Sequence, residues 1–359
     1  MSKIISEAPG RICLFGDHQD YLDLPVIACS IDRMMKLEAI ENSCNFFEVI
    51  FEDLNQRVEI PLEFDINKIE KGNYLKAALK VLRRKNIIPT RGYRIKVSSK
   101  IPINSGLSSS TALIIVWINF LLSAFSKKRI IRNEIALLAY EAEVIEQQSS
   151  GGKMDHFSIA LGNTIYLDTK TDEVTSYKEV DLELIVGVSG LAKDTLGSLA
   201  YLKSNALKAI EQVQNKIPNF KIRGSQEEIS EEILNLTDDN LKPYLYAASK
   251  NFSITKAAKK EFEKKQLNHN LLGKLMNQHH DILNRYLKIT TPLIDKMIKN
   301  SNKSGALGTK IVGSGGGGSI VAIADKNNKE KIINSILSTG AKDAFSVNIS
   351  NGVTIKNNI

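Results

Sequence analysis

Four short segments of this 359-residue chain carry the side chains best suited to chemistry. The first is Pro102-Ile103-Asn104-Ser105-Gly106-Leu107-Ser108-Ser109-Ser110-Thr111-Ala112, which runs straight into a long apolar stretch ending at Phe125. Gly106 lets backbone approach a ligand closely. Serines at a helix start supply caps and hydroxyl donors, while free N–H groups and the positive end of the dipole attract an anion. The segment therefore reads as a phosphate cradle or as an ordinary serine cap. A Walker A loop is excluded, because G-x-x-x-x-G-K-[ST] occurs nowhere in the chain.

The second segment is Gly10-Arg11-Ile12-Cys13-Leu14-Phe15-Gly16-Asp17-His18-Gln19-Asp20-Tyr21. An apolar strand ends at Gly16 and is followed at once by Asp17, His18 and Asp20. That cluster can hydrogen-bond several sugar hydroxyls, hold a metal ion, or form a plain polar turn. The third segment is Gly151-Gly152-Lys153-Met154-Asp155-His156. An aspartate after a glycine turn is a cap, a surface residue, or the group that accepts or orients the proton of an attacking hydroxyl. Upstream, Glu143 could hold Mg²⁺ opposite a serine hydroxyl. Its neighbours Glu141 and Glu146 read as solvated charges. The fourth segment is Gly313-Ser314-Gly315-Gly316-Gly317-Gly318-Ser319. It contains G-x-G-x-x-G, yet a strand-like Ile320-Val321-Ala322-Ile323 follows where a dinucleotide loop would open a helix. A glycine turn packed on another loop or ligand fits better.

The elements that must position these segments can be read from periodicity. Arg11–Phe15, Met35–Ile40, Phe46–Phe51, Val58–Ile60 and Tyr93–Val97 have the branched and aromatic content of strands. Helical spacing covers Asn73–Arg84, Ser108–Phe125 and Asn133–Gln147, and Asn163–Asp168 returns to strand. Near residue 180 the composition shifts. A buried strand at Leu184–Val188 precedes helices at Ser198–Asn215, Ser225–Leu236, Leu241–Phe262, Asn270–Tyr286 and Pro292–Asn300. Lys299 to Ser304 reads as a loop. The chain then closes with strands Leu307–Val312 and Ser319–Ala324, helix Lys329–Leu337 and strand Ala344–Asn348. This pattern predicts an α+β protein of two lobes, residues 1–180 and 181–359.

Composition narrows the function. A chain of this length buries a real core, and it is neither collagen-like, disulfide-rich nor disordered. The 48 Lys and Arg against 40 Asp and Glu leave a charge of +8. That charge suits an anionic small substrate, a nucleic acid, or simply a Lys- and Asn-rich surface. No stretch interleaves basic and aromatic residues, which argues against nucleic acid. Cys13, Cys29 and Cys44 form no C-x-x-C pair and read as reduced core residues of a cytosolic protein. The run from Ala112 to Phe125 is too short to span a bilayer, and the N-terminus has no signal-peptide pattern. A cytoplasmic protein, monomer or homodimer, is expected.

Taken in order, the segments resemble the GHMP kinase superfamily, which includes galactokinase, homoserine kinase and mevalonate kinase. Gly10 to Tyr21 is most similar to the galactokinase signature G-R-x-N-L-I-G-E-H-x-D-Y, and Gly152 to His156 resembles that family's G-I-M-D-Q. The resemblance implies a GHMP kinase fold with an N-terminal lobe like that of a ribosomal protein and a C-terminal lobe with a split β-α-β, ferredoxin-like arrangement. It implies transfer of the ATP γ-phosphoryl group to a hydroxyl, at the anomeric position of a galactose-like sugar. By carry-over, Asp155 is the catalytic base with Arg11 beside it. Asp17, His18, Asp20 and Gly152 meet the sugar. Gly106, Leu107, Ser108, Ser109 and Ser110 form the phosphate loop, and Gly315 and Gly316 meet ATP from the second lobe. Ser110 and Glu143 are the implied Mg²⁺ ligands. The chain departs from the galactokinase pattern at Asp17 (usually Glu), at Cys13 (usually Asn) and at Ser189-Gly190-Leu191-Ala192-Lys193-Asp194-Thr195. That last segment is more like the S-G-x-x-K-x-T of mevalonate kinases. Another acceptor (a pentose, uronic acid, heptose or mevalonate) and a non-catalytic sugar-responsive regulator are the alternatives.

Overall fold

The computed structural model describes residues 3–128, 131–191, 195–224 and 229–358. The first lobe opens with two long strands, β1 (Lys3–Phe15) and β2 (Val26–Glu41), paired antiparallel along most of their length. The register shifts between Pro9 and Gly10, where proline withholds a ladder N–H. Strands β3 (Phe46–Phe51), β4 (Gln56–Pro61) and β5 (Tyr93–Ser99) extend one edge, with helix α1 (Tyr74–Arg84) between β4 and β5. The order is β1-β2-β5-β3-β4, with the β3–β5 pair parallel. Two stretches of β2 therefore serve different partners. Met35–Glu41 pairs with β5, while Val26–Cys29 pairs with β6 (Thr164–Asp168), which in turn holds β7 (Glu173–Tyr177).

Helix α2 (Ser109–Phe125) is apolar on all sides, and Ala112 and Ile114–Leu122 are all buried. A helix without a polar face must be enclosed. It is enclosed here by β1, β2 and the flanking helices, and the Trp117 indole donates to the Leu75 carbonyl at 3.1 Å. Helix α3 (Arg132–Tyr140) continues into a π-helical turn, Glu141–Ile145. Such turns insert a residue into a helix and re-aim its side chains. Arg84 from α1 reaches both Glu141 and Glu146, and Lys80 reaches Glu146 at 2.8 Å, so those two glutamates are ion-paired to α1. Helix α4 (Met154–Leu161) completes the lobe.

The second lobe begins with β8 (Glu183–Val188) and passes through α5 (Thr195–Lys216), α6 (Glu231–Leu234), α7 (Lys242–Phe262), α8 (His269–Arg285) and α9 (Pro292–Lys303). Strands β9 (Gly308–Val312) and β10 (Ser319–Ala324), helix α10 (Lys329–Leu337) and strand β11 (Asp343–Val347) follow. Their antiparallel order, β11-β8-β10-β9, is the split β-α-β arrangement. The last strand, β12 (Thr354–Asn358), leaves this lobe and pairs antiparallel with the outer edge of β1. Strands β1–β7 and β12 thus share one sheet and β8–β11 the other, so the C-terminal strand of the expected 181–359 lobe lies in the first sheet.

Several local expectations need correction. Residues 299–303 are the end of α9, because Ile298 and Ser301 pack inward and the Ser301 hydroxyl bonds Met297 O at 2.9 Å. The helix expected over Ser225–Leu236 is described only as the short α6, and residues 225–228 lie outside the described residues. Cys13 and Cys29 are buried, but Cys44 is exposed on the β2–β3 turn, where no core reaches it.

Candidate active site

Three elements converge on one carboxylate. Arg11, near the end of β1, is 4% exposed. Its Nε donates to Asp155 Oδ1 at 2.6 Å and its Nη2 to Asp155 Oδ2 at 2.7 Å. The remaining nitrogen, Nη1, donates to Gly106 O at 2.5 Å, so one guanidinium ties α4 to the loop before α2. That fork uses the planar geometry only arginine offers. The Ser108 hydroxyl donates to the same carboxylate. Ser108 precedes α2 with φ +61°, and its hydroxyl does not cap the helix. The first N–H groups of α2 therefore stay available for an anion. Burial pushes the Asp155 pKa up, but the charge and hydrogen bonds of Arg11, with the Ser108 hydroxyl, outweigh it and hold the group below the usual carboxylate value.

A cavity of about 480 Å³ opens over this pair, within the size range of small-molecule sites. Ser108, Ser109, Ser110, Glu143, His156, His18, Asp20 and Gly152 all line it. Leu107, expected in the phosphate loop, does not line the cavity: its side chain is in the core and its carbonyl accepts the Arg11 N–H at 3.2 Å. Asp20 accepts the backbone N–H of Tyr21 at 3.0 Å and of Met154 at 3.4 Å. A Cβ on Gly152 would lie 2.1 Å from Asp20 Oδ2, so only glycine lets that carboxylate sit there. Burial, reinforced by the Asp155 charge, raises the Asp20 pKa to about 6. His18 Nδ1 lies 3.2 Å from the Tyr21 hydroxyl.

Glu143 comes from the π turn, and its Oε2 lies 2.9 Å from His156 Nε2. Glu143 and Ser110 line the same cavity. Among the described residues no group of three His, Cys, Asp or Glu could hold a metal by itself. Lys153 turns away from the serine loop: its ammonium pairs with Asp172 at 2.6 Å, on the β6–β7 turn.

The glycine run of the second lobe enters differently from the sequence expectation. Gly313 and Ser314 line the cavity, whereas Gly315 and Gly316 stand outside its wall. A Cβ on Gly315 would lie 2.5 Å from Ile289 Cβ, and the Gly316 N–H donates to the Ile289 carbonyl at 2.7 Å. Those two glycines let the loop pack on the α8–α9 connection. Asp17 is also placed unexpectedly. It touches the cavity, but its carboxylate is paired with Lys310 of β9 at 2.5 Å, both side chains buried. Sequence reasoning missed Lys310 and His156. A lysine inside the branched run Thr309–Val312 was the available signal, since a charge in a buried strand needs a partner. Of the segment Ser189–Thr195, residues 192–194 lie outside the described residues.

Comparison with known proteins fits this architecture. The GHMP kinases N terminal domain matches residues 73–163, the GHMP kinases C terminal domain matches 256–342, and the galactokinase galactose-binding signature matches 1–36. A galactokinase of Thermococcus kodakarensis is 31% identical over 90% of each chain. A mevalonate kinase of Thermococcus onnurineus is 26% identical over 91% of each. Among solved structures, Lactococcus lactis galactokinase complexed with galactose superposes with a TM-score of 0.85 at 23% identity, covering 98% of this chain and 95% of that one. This chain belongs to the GHMP kinase family and is a galactokinase-like sugar kinase, a phosphotransferase with an alcohol acceptor. Among the described residues no helix is long and apolar enough to cross a membrane.

Proposed function

We propose that this kinase transfers the γ-phosphoryl group of ATP to the anomeric hydroxyl of a galactose-like sugar, giving a sugar 1-phosphate, in the cytoplasm. The observation that carries the reading is the forked Arg11–Asp155 pair at the junction of the serine loop and the Asp20–Gly152 wall. The phosphates fit the N-terminus of α2, beside Gly106, Ser109 and Ser110, where the first N–H groups have no acceptor within the helix. The sugar fits beside Asp20 and His18, whose short polar groups can bracket neighbouring hydroxyls.

Asp155 is held ionised, which makes it a weak base for a resting hydroxyl. Its work is to orient that hydroxyl and to take the proton late, as the bond to phosphorus forms. Arg11 locks the carboxylate and places positive charge beside the transferring group. The oxygen donors Ser110 and Glu143 fit the hard Mg²⁺ ion, which takes most of its remaining ligands from phosphate and water. Bound there, Mg²⁺ would neutralise phosphate charge. His156 keeps Glu143 in place through its 2.9 Å contact.

The galactokinase galactose-binding signature over residues 1–36 favours a galactose-like acceptor. Mevalonate kinases of similar coverage, with the Ser189–Thr195 segment, support the competing acceptor. The test is ADP release with MgATP against galactose, glucose, mannose, arabinose, galacturonate, a heptose and mevalonate. Galactose or a close epimer should stand at least tenfold above mevalonate in kcat/KM, about 1.4 kcal/mol of discrimination. Turnover of mevalonate alone would overturn the sugar assignment. Nucleotide binding with no turnover of any acceptor would favour a regulator.

A further inference from the structure

The glycine run is tied to the first lobe at both ends. At its start the Gly313 N–H donates to Asp17 Oδ1 at 3.0 Å, and at its close the Ser319 hydroxyl donates to the Ser105 carbonyl at 2.7 Å. The first tie is anchored by the Asp17–Lys310 pair, whose side chains are 1% and 0% exposed. Lys310 Nζ donates to Asp17 Oδ2 at 2.5 Å and to the Cys13 carbonyl at 2.9 Å. Both carboxylate oxygens therefore serve the second lobe. Between the two ties stands Ser314, on the cavity wall, with a buried hydroxyl oxygen that has no hydrogen-bond partner among the described residues. A buried polar group without a partner is costly unless a ligand completes it.

Beside the pair, His279 is fully buried and stacks on Phe15 at 6.4 Å. Burial and the Lys310 charge hold its pKa down at about 3, so the imidazole is neutral and adds no second cation facing Asp17. The buried pair itself is then one carboxylate and one ammonium. Removing either alone would strand the other.

We propose that Asp17 and Lys310 are a positioning pair that fixes Ser314 against the cavity, and that the Ser314 hydroxyl, buried while the site is empty, turns into the cavity to donate to a phosphate oxygen of the nucleotide. Asp17 is thus a lobe pin and not a sugar ligand, although the family pattern places it among the sugar contacts. The nucleotide part of this inference rests on the proposed kinase reaction. The pin itself does not.

Two variants test it. Ser314→Ala removes only the hydroxyl and should fold as the parent does; it should weaken binding of a non-hydrolysable ATP analogue with Mg²⁺ by about tenfold, the scale of one hydrogen bond to a charged group. Galactose affinity should stay within about twofold. The double variant Asp17→Asn/Lys310→Met removes both buried charges together, and should raise hydrogen exchange of the Gly313–Gly318 amides in the unliganded protein. Unchanged exchange in that loop would overturn the pin. Loss of galactose affinity in the double variant with nucleotide affinity intact would make Asp17 a sugar ligand and overturn the assignment. Unaltered nucleotide affinity in Ser314→Ala would remove Ser314 from the site. A parent protein that transfers no phosphoryl group would refute the kinase reaction, while the exchange result would still decide the pin.

Discussion

At the scale of single residues, the account turns on which carboxylates are ionised and what holds them. Asp155 is held ionised by Arg11 and Ser108, with acceptor capacity left for a hydroxyl, so Asp155→Asn keeps the shape but cannot take a proton. Turnover should fall by about 10² or more while galactose and nucleotide affinities stay near those of the parent. Steady-state kinetics with binding titrations check this, and parent-like turnover would remove Asp155 from its role. Asp20 sits at the opposite extreme, with a pKa raised to about 6. Its ionised form accepts hydroxyl hydrogen bonds more strongly and on both oxygens, so kcat/KM for the sugar should rise with pH through about 6, and Asp20→Asn should lose that limb. The sign for stability is the reverse. Between 3.8 and about 6 the folded protein keeps a proton the unfolded chain has lost, so this group's contribution declines as pH rises through that window. Asp155, Arg11 and Asp20 were legible in sequence because each sits in a short motif whose spacing survives folding. The partners of Asp17 and Glu143 were not. Lys310 lies 293 positions from Asp17, and nothing local in either segment names the other.

At the scale of elements, periodicity and apolar content identified strands and helices that belong to the core. Phe46–Phe51 and Ser319–Ala324 appear with the boundaries read from the sequence, and α2 with its first residue shifted by one. What it missed were pieces whose reason for existing is a distant neighbour. Strand β7 is largely exposed and persists because it pairs with β6. The π turn at Glu141–Ile145 has the residue pattern of ordinary helix. Strand β12, Thr354-Ile355-Lys356-Asn357-Asn358, is polar and short, and is a strand because β1 offers an edge. It also gives the buried Asn119 amide a carbonyl at Thr354, 3.0 Å away. Deleting residues 354–359 should expose that edge and lower Tm by about 3 °C, the response to roughly 2 kcal/mol in a chain of this size. Calorimetry reads it directly. An unchanged Tm would show that β12 adds nothing to the first sheet.

At the scale of the whole molecule, the site exists because two differently built lobes meet over it. The first supplies the anion-binding helix start, the forked arginine and the polar turn at Asp20. The second lends Gly313 and Ser314, held across the contact by a buried ion pair and by Ser319. Fold and family follow from the order of the segments, which is why both could be read before any geometry. Choice of acceptor could not, since it depends on the space beside Asp20 and His18. The most direct measurement is the identity of the product formed from MgATP and galactose, read by proton-coupled phosphorus NMR. Phosphorus coupled to the anomeric proton, lost together with turnover in Asp155→Asn, is the predicted result. Phosphate on any other carbon, or transfer to mevalonate with galactose untouched, would contradict the account.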